Sequence, residues 1–369
     1  MDDVAAVTEP APASTPGAAA VLDREEVDLL ARTARDAFGA SIDGPALGEL
    51  GWLGLVADES AGGAGWHPGA LAAIVEAAAG ERTSFDLIAP NLAARALASI
   101  VDHERPEAPA HRDRLDDVLA GRCGAAIVVD PALAVSDATP PLVRGTATCL
   151  LAGPADPAVV VVVGAAPGAV LVLDTAQGET TVERFDHGAE LGRPQLGVHD
   201  TERPTASITL ADAPATIAAG LDASAFVDLG RALTAADTVG TFALANRTIR
   251  EYLVDRSAFG VPLASFQALQ HRLVDLSLFE VAARAITVDA VRAVAGGGTA
   301  TREVALAHAY VHGHATDALD ECVQLAGGIG FTWEHPLHHS LRRALVNRAR
   351  FGSVREAEDA YAAAEGWPS

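Results

Sequence analysis

The chain has 369 residues, of which 50% are hydrophobic and 20% charged, so it can bury a large core divided among roughly two or three domains. Its net charge of −23 and isoelectric point near 4.8 exclude the concentrated basic face that nucleic-acid binding requires. The three cysteines lack C-x-x-C spacing, which favours a reducing cytoplasm. Since no apolar run approaches the ~20 residues of a membrane-spanning helix, we expect a cytoplasmic protein without a membrane span.

The N-terminal part of the chain is predicted to be helical after a loose tail. Residues 1–20 are rich in Ala, Pro, Thr and Ser and contain no basic residue, which indicates a disordered tail rather than a signal peptide. An N-terminal helical domain is then predicted over residues 21–121. Asp23 and Glu26 have the spacing of an N-cap and capping box for a helix that ends at Phe38. Further helices are predicted over 68–80, 93–101 and 112–120.

The middle of the chain, residues 122–212, changes to short β-branched runs separated by Gly, Pro and Asp. Turn signals at this spacing are typical of a small antiparallel, barrel-like β-domain. The predicted strands cover 125–129, 159–163, 169–173, 180–185 and 206–210.

The C-terminal part, residues 213–369, has apolar positions that repeat at three and four residues. One helix is predicted to end near Asp255. The next is capped by Ser265 and ends at the glycines 296–298, a third covers about 301–325, and a fourth begins after Pro336. Short connections between long helices predict a four-helix bundle. The fold class is therefore mostly α, with a helical domain, a small central β-domain and a helical bundle.

Two motifs at the helix junctions of the bundle carry the candidate chemistry. Residues 256–267 read R-S-A-F-G-V-P-L-A-S-F-Q and place a guanidinium and a carboxamide on either side of a tight corner, which suits an anionic ligand. Residues 324–332 read Q-L-A-G-G-I-G-F-T. Together these stretches resemble the acyl-CoA dehydrogenase family, whose corner reads R-x-x-F-G-x-P-[IL]-x-x-F-Q. The resemblance implies an FAD cofactor, an acyl-CoA substrate and an electron-transferring flavoprotein as acceptor.

The resemblance also assigns cofactor contacts. In the family each flavin lies between two subunits, and the residues that reach across from the neighbouring subunit are present here. They are Arg256, Phe259, Gln267, Gln324, Gly327 and Gly328. The residues that hold the flavin ring within one subunit of the family are not all present. Cys149 and Leu151 stand where the family has Trp and Thr. Of the family's T-E-P-G-x-G-S-D loop, only Ser136 and Asp137 remain.

The catalytic base implied by the resemblance is missing. Its two family positions fall at Phe351 and Gly230, which cannot accept a proton, so no catalytic residue is assigned. An alignment with one gap would place Glu356 or Glu358 at the position of the catalytic base. We interpret both as solvated helix residues.

Asp228 and Arg231 match family positions near the acyl-CoA, and a surface ion pair at i, i+3 is the other interpretation. Arg256 has a structural alternative too, as a cap that pairs with Asp255. His308 and His312 share a helix face and His314 follows, but no pattern of carboxylates or cysteines accompanies them, so no metal site is predicted.

The retained and missing residues resemble one branch of the family in particular. This branch is the actinobacterial heterotetrameric (α2β2) acyl-CoA dehydrogenases of steroid side-chain degradation, in which a short degenerate subunit works with a catalytic partner subunit. We interpret this chain as the degenerate type. Two alternatives stay open, namely a self-sufficient homo-oligomeric dehydrogenase with an unaligned base, and a non-catalytic acyl-CoA-binding or assembly protein.

Overall fold

A computed structural model describes residues 24–40, 42–102, 108–152, 156–184, 200, 202–297 and 299–367. The predicted tail over 1–20 and the predicted cap at Asp23 lie outside the described residues. The limits of the three predicted domains stay predictions.

The N-terminal region is helical, as expected, and α4 lies at its centre. Its helices are α1 (Arg24–Gly39), α2 (Gly44–Glu49), α3 (Pro68–Gly80), α4 (Ile88–Asp102) and α5 (Ala108–Leu119). Asp43 caps α2 by accepting the Ala46 N–H at 3.0 Å. The buried Asn91 side chain accepts the Leu55 N–H at 2.9 Å and donates to the Trp52 carbonyl at 2.9 Å. It thereby fixes the loop after α2 against α4.

The middle region forms two four-stranded sheets. The strands are β1 (Gly124–Val129), β2 (Ala134–Val135), β3 (Leu142–Leu150), β4 (Pro157–Val163), β5 (Val170–Asp174), β6 (Glu179–Arg184), β7 (Thr205–Pro214) and β8 (Thr216–Ile217). One sheet has the order β1-β4-β5-β8 and the other β2-β3-β7-β6. The predicted antiparallel domain is confirmed with one difference, since β1 and β4 run parallel. Both strands are almost entirely buried, which is usual for parallel strands.

The C-terminal region contains three long helices and two short ones: α6 (Ala223–Asp255), α7 (Gln267–Ala295), α8 (Thr301–Ala326), α9 (Leu337–Asn347) and α10 (Val354–Ala364). The predicted fourth bundle helix is thus split into α9 and α10, because the chain turns at Gly352 with φ 104°. Helix α6 packs against α3, α7, α8 and α9, so it is the centre of the molecule. No helix within the described ranges is both long and apolar enough to span a bilayer.

The predicted cap of α7 is wrong in detail. Ser265 lies in a short 3-10 turn, Leu263–Ser265, and its hydroxyl donates to the Pro262 carbonyl at 2.7 Å instead of capping the helix. The N-cap position is Phe266, whose side chain makes no capping hydrogen bond. The nearby proline carbonyl competes for the hydroxyl, which sequence spacing alone does not reveal.

Candidate functional site

The corner motif forms a small hairpin at one end of the bundle. Strand β9 (Ser257–Ala258) pairs with β10 (Val261–Pro262), and Phe259 and Gly260 make the turn with φ values of 54° and 81°. Two successive left-handed residues define the mirror-image turn of tight hairpins, which favours Asn-Gly. Phe259 is therefore held in a conformation that costs about 1–3 kcal/mol for a side chain of this size.

Phe259 projects from this hairpin into solvent with 96% of its surface exposed. Its one close aromatic neighbour within the described chain is Phe266, whose ring centroid lies 6.5 Å away at an interplanar angle of 85°. A fully exposed phenylalanine on a strained turn gains nothing for the isolated chain, and such features occur where a surface meets a ligand or a partner.

The six predicted cofactor residues are brought to the same end of the bundle. The end of α6, the start of α7 and the end of α8 meet there because consecutive helices run in opposite directions. All six side chains or glycine backbones are exposed: Arg256, Phe259, Gln267, Gln324, Gly327 and Gly328. Among the described residues, Arg256 forms no ion pair with Asp255 or with another carboxylate. Its guanidinium and the two carboxamides therefore remain available to a ligand.

The two positions where the resemblance expects contacts to the flavin ring, Cys149 and Leu151, lie in the core of the β-domain. Cys149 on β3 and Leu151 are buried within the β-domain core, and burial raises the pKa of the Cys149 thiol to about 12. Beside Cys149 lies a buried ion pair, in which Nη1 of Arg350 donates to Oδ1 of Asp86 at 2.9 Å. Cys149 is therefore surrounded by apolar side chains and by a neutralised ion pair.

Ser136 and Asp137 are the two residues retained from the family's T-E-P-G-x-G-S-D loop. The Ser136 hydroxyl accepts the Leu142 N–H at 2.9 Å and the Ala138 N–H at 3.4 Å, while Asp137 is exposed. These bonds shape the loop between β2 and β3.

The two expected base positions lie in direct contact. The Phe351 ring is fully buried and packs against the backbone of Gly230 on α6. Nε of Arg231 donates to the Phe351 carbonyl at 2.8 Å, which fixes the segment between α9 and α10 on α6. The ring of Phe351 therefore excludes both water and any side chain at residue 230 from this point.

Asp228 and Arg231 lie next to this contact and are not a surface pair. Asp228 is buried and accepts the Thr301 hydroxyl at 3.0 Å, and Nη1 of Arg231 is 4.0 Å from Oδ1 of Asp228. Burial raises the pKa of Asp228, while Thr301 and Arg231 oppose that rise. A desolvated carboxylate with few partners is a candidate for a binding site, which is in keeping with the expected role of Asp228.

Glu356 serves the start of α10. Its carboxylate accepts the Ser353 N–H at 2.6 Å and its own N–H donates to the Ser353 hydroxyl at 3.1 Å, which is a complete capping box. These hydrogen bonds lower the pKa of Glu356, which weakens it as a proton acceptor. Glu358 is exposed on the same helix, as expected.

A histidine pair lies inside α8 near this region. The rings of His308 and His312 are 4.5 Å apart, and three of their four ring nitrogens have no hydrogen-bond partner within the described residues. Burial and then the Arg231 charge lower the pKa of His308 to about 4, and burial lowers that of His312 well below its ordinary value. His314 is exposed instead, with Nδ1 2.8 Å from the Tyr310 carbonyl. Both buried rings are neutral near pH 7.

A buried ionic network connects α6 with α9 and with the segment before β7. Asp237 accepts Nη2 of Arg343 at 2.6 Å and Nδ2 of Asn347 at 2.6 Å, and Nη2 of Arg203 donates to Oδ1 of Asn347 at 2.8 Å. Nε of Arg203 also donates to Asp200 at 2.6 Å. Burial favours the neutral acid, but the Arg343 and Arg203 charges outweigh it and hold the pKa of Asp237 below its ordinary value.

Sequence reasoning missed this network. The available signal was a charge within a run of small apolar positions, since Asp237 follows Ala235 and Ala236 on the buried stripe of α6. A charge at such a position requires a partner, but its identity depends on residues more than a hundred positions away.

Comparison with known proteins supports the family assignment. Residues 221–354 match the model of the acyl-CoA dehydrogenase C-terminal domain. Acyl-CoA dehydrogenase IpdE2 of Mycobacterium tuberculosis is 37% identical over 129 residues, which are 35% of this chain and 39% of IpdE2. Acyl-CoA dehydrogenase FadE34 of the same organism is 31% identical over 300 residues, which are 81% of this chain and 38% of FadE34. The chain thus matches well under two thirds of the length of either relative.

Among solved structures, a variant of the Tcur3481-Tcur3483 steroid ACAD has the same fold. The TM-score is 0.77 at 23% sequence identity, and the match covers 93% of this chain and 98% of that chain. The family match lies in the bundle, the fold likeness extends over all three regions, and FAD is the cofactor of this family. This chain is a member of the acyl-CoA dehydrogenase family.

Proposed function

We propose that this chain is the subunit of a heteromeric, FAD-dependent acyl-CoA dehydrogenase that lacks a catalytic base of its own. It contributes half of a flavin site to a catalytic partner subunit, in an α2β2 assembly. The observation that carries the proposal is a contrast within one chain. The residues that reach across to a neighbour's flavin are exposed, whereas the expected base positions are sealed by the contact between Phe351 and Gly230.

The fit of the chain to FAD differs between its two sides. The exposed guanidinium of Arg256 suits the diphosphate, because its planar fork donates two hydrogen bonds to phosphate oxygens. Gln267 and Gln324 supply carboxamides, and Gly327, with φ 66° and no atom near an added Cβ, leaves room for close approach of a ligand. The other side does not fit, since Cys149 and Leu151 replace the Trp and Thr of the family pattern and are buried in the β-domain core.

These residues determine what this chain and its partner subunit each contribute to the reaction. When bound, FAD supplies hydride acceptance in the α,β-dehydrogenation of an acyl-CoA thioester. This chain holds the phosphate end with Arg256, covers the cofactor with Phe259 and excludes water from the shared interface. The base and the ring pocket then come from the partner subunit. Phe351 and Gly230 keep this chain's own equivalent region dry and closed.

The substrate class is an acyl-CoA, and the steroid named for the structural relative supports a steroid-derived acyl group. The name of the structural relative describes a steroid ACAD of two gene products, which fits a paired assembly. An electron-transferring flavoprotein is the proposed acceptor, and the cytoplasm is the proposed location.

The proposal is tested by co-expressing this chain with a dehydrogenase subunit encoded beside it. We expect a yellow complex that oxidises acyl-CoA, and a colourless chain when it is expressed alone. Arg256→Ala in this chain should lower FAD occupancy of the complex at least tenfold, since a charge-assisted bidentate contact contributes about 1.5–3 kcal/mol. Arg355→Ala is the matched control, because Arg355 is exposed on α10, away from the cofactor end.

Two outcomes would contradict the proposal. A yellow and active protein obtained from this chain alone would establish a self-sufficient dehydrogenase. A stable colourless chain that retains no partner and no flavin would establish a non-catalytic acyl-CoA-binding or assembly protein.

A further inference from the structure

Exposed aromatic rings are concentrated at the cofactor end of the bundle, where the six predicted cofactor residues meet. Five Phe and Trp side chains of the described ranges are exposed, and four of them lie at this end. The four are Phe259, Phe266, Phe331 and Trp333, and the fifth is Trp367. The resemblance to the family accounts for Phe259 but assigns no role to Trp333, which has the largest aromatic face of the four.

The turn that carries Trp333 begins at the glycines of the cofactor end. A 3-10 turn runs over Gly327–Phe331. The N–H and the hydroxyl of Thr332 both donate to the Ile329 carbonyl, at 3.0 Å and 2.8 Å, so the chain bends sharply after this turn. Trp333 is therefore held a few residues from the glycine backbone that leaves room for a ligand.

A second contact places the same segment beside Arg256. The ring of His335 packs edge to face on Tyr252 of α6, with 6.0 Å between the ring centroids and 84° between the planes. Tyr252 lies one helical turn before Arg256, whose N–H donates to the Tyr252 carbonyl at 2.9 Å. The segment around Trp333 thus borders the guanidinium that suits the FAD diphosphate.

Two side chains of α9 hold the Trp333 ring in one orientation. Cζ of Arg342 lies over the ring, 5.3 Å from its centroid. The His338 ring meets it at 4.6 Å and 72°, and Nε2 of His338 lies 3.4 Å from the Trp333 carbonyl oxygen. Since 59% of Trp333 stays exposed, the face opposite Arg342 is open. A ring that is fixed before binding loses little conformational entropy when a ligand stacks on it.

Phe331 lacks this support. It is 67% exposed, and it makes no ring or cation contact within the described ranges. Its side chain is therefore free to reorient, whereas the ring of Trp333 presents one fixed face.

The ligand that suits this face is a flat ring attached to a phosphate group. Adenine stacks on aromatic side chains in a way that needs no specific hydrogen bonds. Under the proposed function, the isoalloxazine ring of FAD lies in the pocket of the partner subunit and the diphosphate meets Arg256. The adenosine is joined to the other end of the diphosphate, so it lies on the side of this chain.

We propose that Trp333, supported by Arg342, stacks on the adenine ring of the FAD whose isoalloxazine ring the partner subunit holds. This inference rests on the proposed function and adds a selective element to it. The shared site should distinguish FAD from FMN, because FMN has the same isoalloxazine ring and a phosphate but no adenosine.

The experiment measures flavin affinity of the complex with the co-expressed catalytic subunit, after its flavin has been removed. Trp333→Ala should weaken FAD binding at least about fivefold, the loss expected for one stacked base, and should leave FMN binding unchanged. Trp333→Phe keeps an aromatic face and should recover most of the FAD affinity. FAD should also quench tryptophan emission more in the wild-type complex than in Trp333→Ala, whereas FMN should show no such difference.

Trp367→Ala is the matched control, and its FAD affinity should equal that of the wild type. Trp367 is 60% exposed, which is close to the exposure of Trp333. Its ring packs on Tyr361, which lies under Arg302 in the first turn of α8. The control is therefore at the opposite end of α8, roughly 30 Å along the helix from the cofactor end.

The outcomes separate this inference from the proposed function. Equal FAD affinity of wild type and Trp333→Ala would overturn the inference and leave the shared flavin site in place. An equal loss of FAD and FMN affinity would overturn it as well, because the ring would then support the interface in general. A raised KM for acyl-CoA with unchanged FAD affinity would assign the ring to the adenine of coenzyme A instead. A wild-type complex that holds no flavin would contradict the proposed function, and this inference with it.

Discussion

A Cβ atom placed on Gly230 would lie 2.6 Å from Cζ of Phe351 and closer still to Cε1, so glycine is required at residue 230 as long as the phenylalanine ring occupies residue 351. The ring cannot move aside because it is fully buried. The two positions form one steric unit, although they lie on different helical segments that are far apart in the sequence.

Gly230→Ala should therefore destabilise the chain despite the better helix propensity of alanine. The propensity gain of about 1 kcal/mol is outweighed by overpacking, which in cores costs about 1–3 kcal/mol. Phe351→Ala should cost about 3–5 kcal/mol by leaving a cavity. The double variant should lose less than the sum of the two, because the methyl group added at residue 230 then fills part of that cavity. Chemical denaturation measures all three, and simple additivity would contradict the contact.

Phe259 should show opposite effects on stability and on cofactor binding. Phe259→Asn relieves the left-handed strain and should raise the free energy of unfolding by about 1 kcal/mol, since Asn-Gly suits this turn. The same variant should reduce FAD retention in the heteromeric complex. Phe259→Leu removes the ring but keeps the strain, so it should reduce FAD retention without raising stability. A loss of stability in Phe259→Asn would show that the exposed ring contributes to the fold.

Arg343 should contribute far more to stability than an exposed arginine in a similar pair. Arg343→Ala leaves Asp237 buried without its main countercharge and should cost about 3–5 kcal/mol. Arg144, paired with Asp212 at the surface, is the control, and Arg144→Ala should change stability far less, because solvent screens an exposed ion pair. Urea unfolding at neutral pH compares the two. Equal costs would mean that the buried network is dispensable.

His308 should make the chain sensitive to mild acid. Its native pKa of about 4 lies below the ordinary value of 6.5, so between these values the native state binds fewer protons than the unfolded state. The free energy of unfolding should therefore fall as the pH drops from 6.5 towards 4, by on the order of 3 kcal/mol from this residue. His308→Gln should flatten that part of the curve, whereas His314→Gln on the exposed surface should leave it unchanged. Parallel curves for wild type and His308→Gln would contradict the assignment.

The sequence was sufficient for features that depend on local pattern. Helix α8 was expected over about 301–325 and is observed as Thr301–Ala326, because its periodicity and the preceding glycines act within a few residues. The tight turn at Phe259–Gly260 follows in the same way from the corner motif and a glycine.

Features that depend on tertiary packing could not be predicted from the sequence. The parallel pairing of β1 and β4 joins strands whose order in a sheet is not encoded locally. The break between α9 and α10 depends on Arg231, which holds the Phe351 carbonyl from another helix. Two opposed apolar stripes on α7 can be counted in the sequence, but only the structure shows that Leu276 and Ala283 are buried whereas Leu278 and Val281 are exposed.

The contact between Gly230 and Phe351 also limits which substitutions the protein can accept at these two positions during evolution. A carboxylate at residue 230 clashes with the ring, and a carboxylate at residue 351 would be buried in apolar surroundings unless the neighbouring residues changed as well. A single substitution that introduces a carboxylate at either position therefore passes through a less stable protein. Under the proposed function, dependence on a partner would be hard for evolution to reverse.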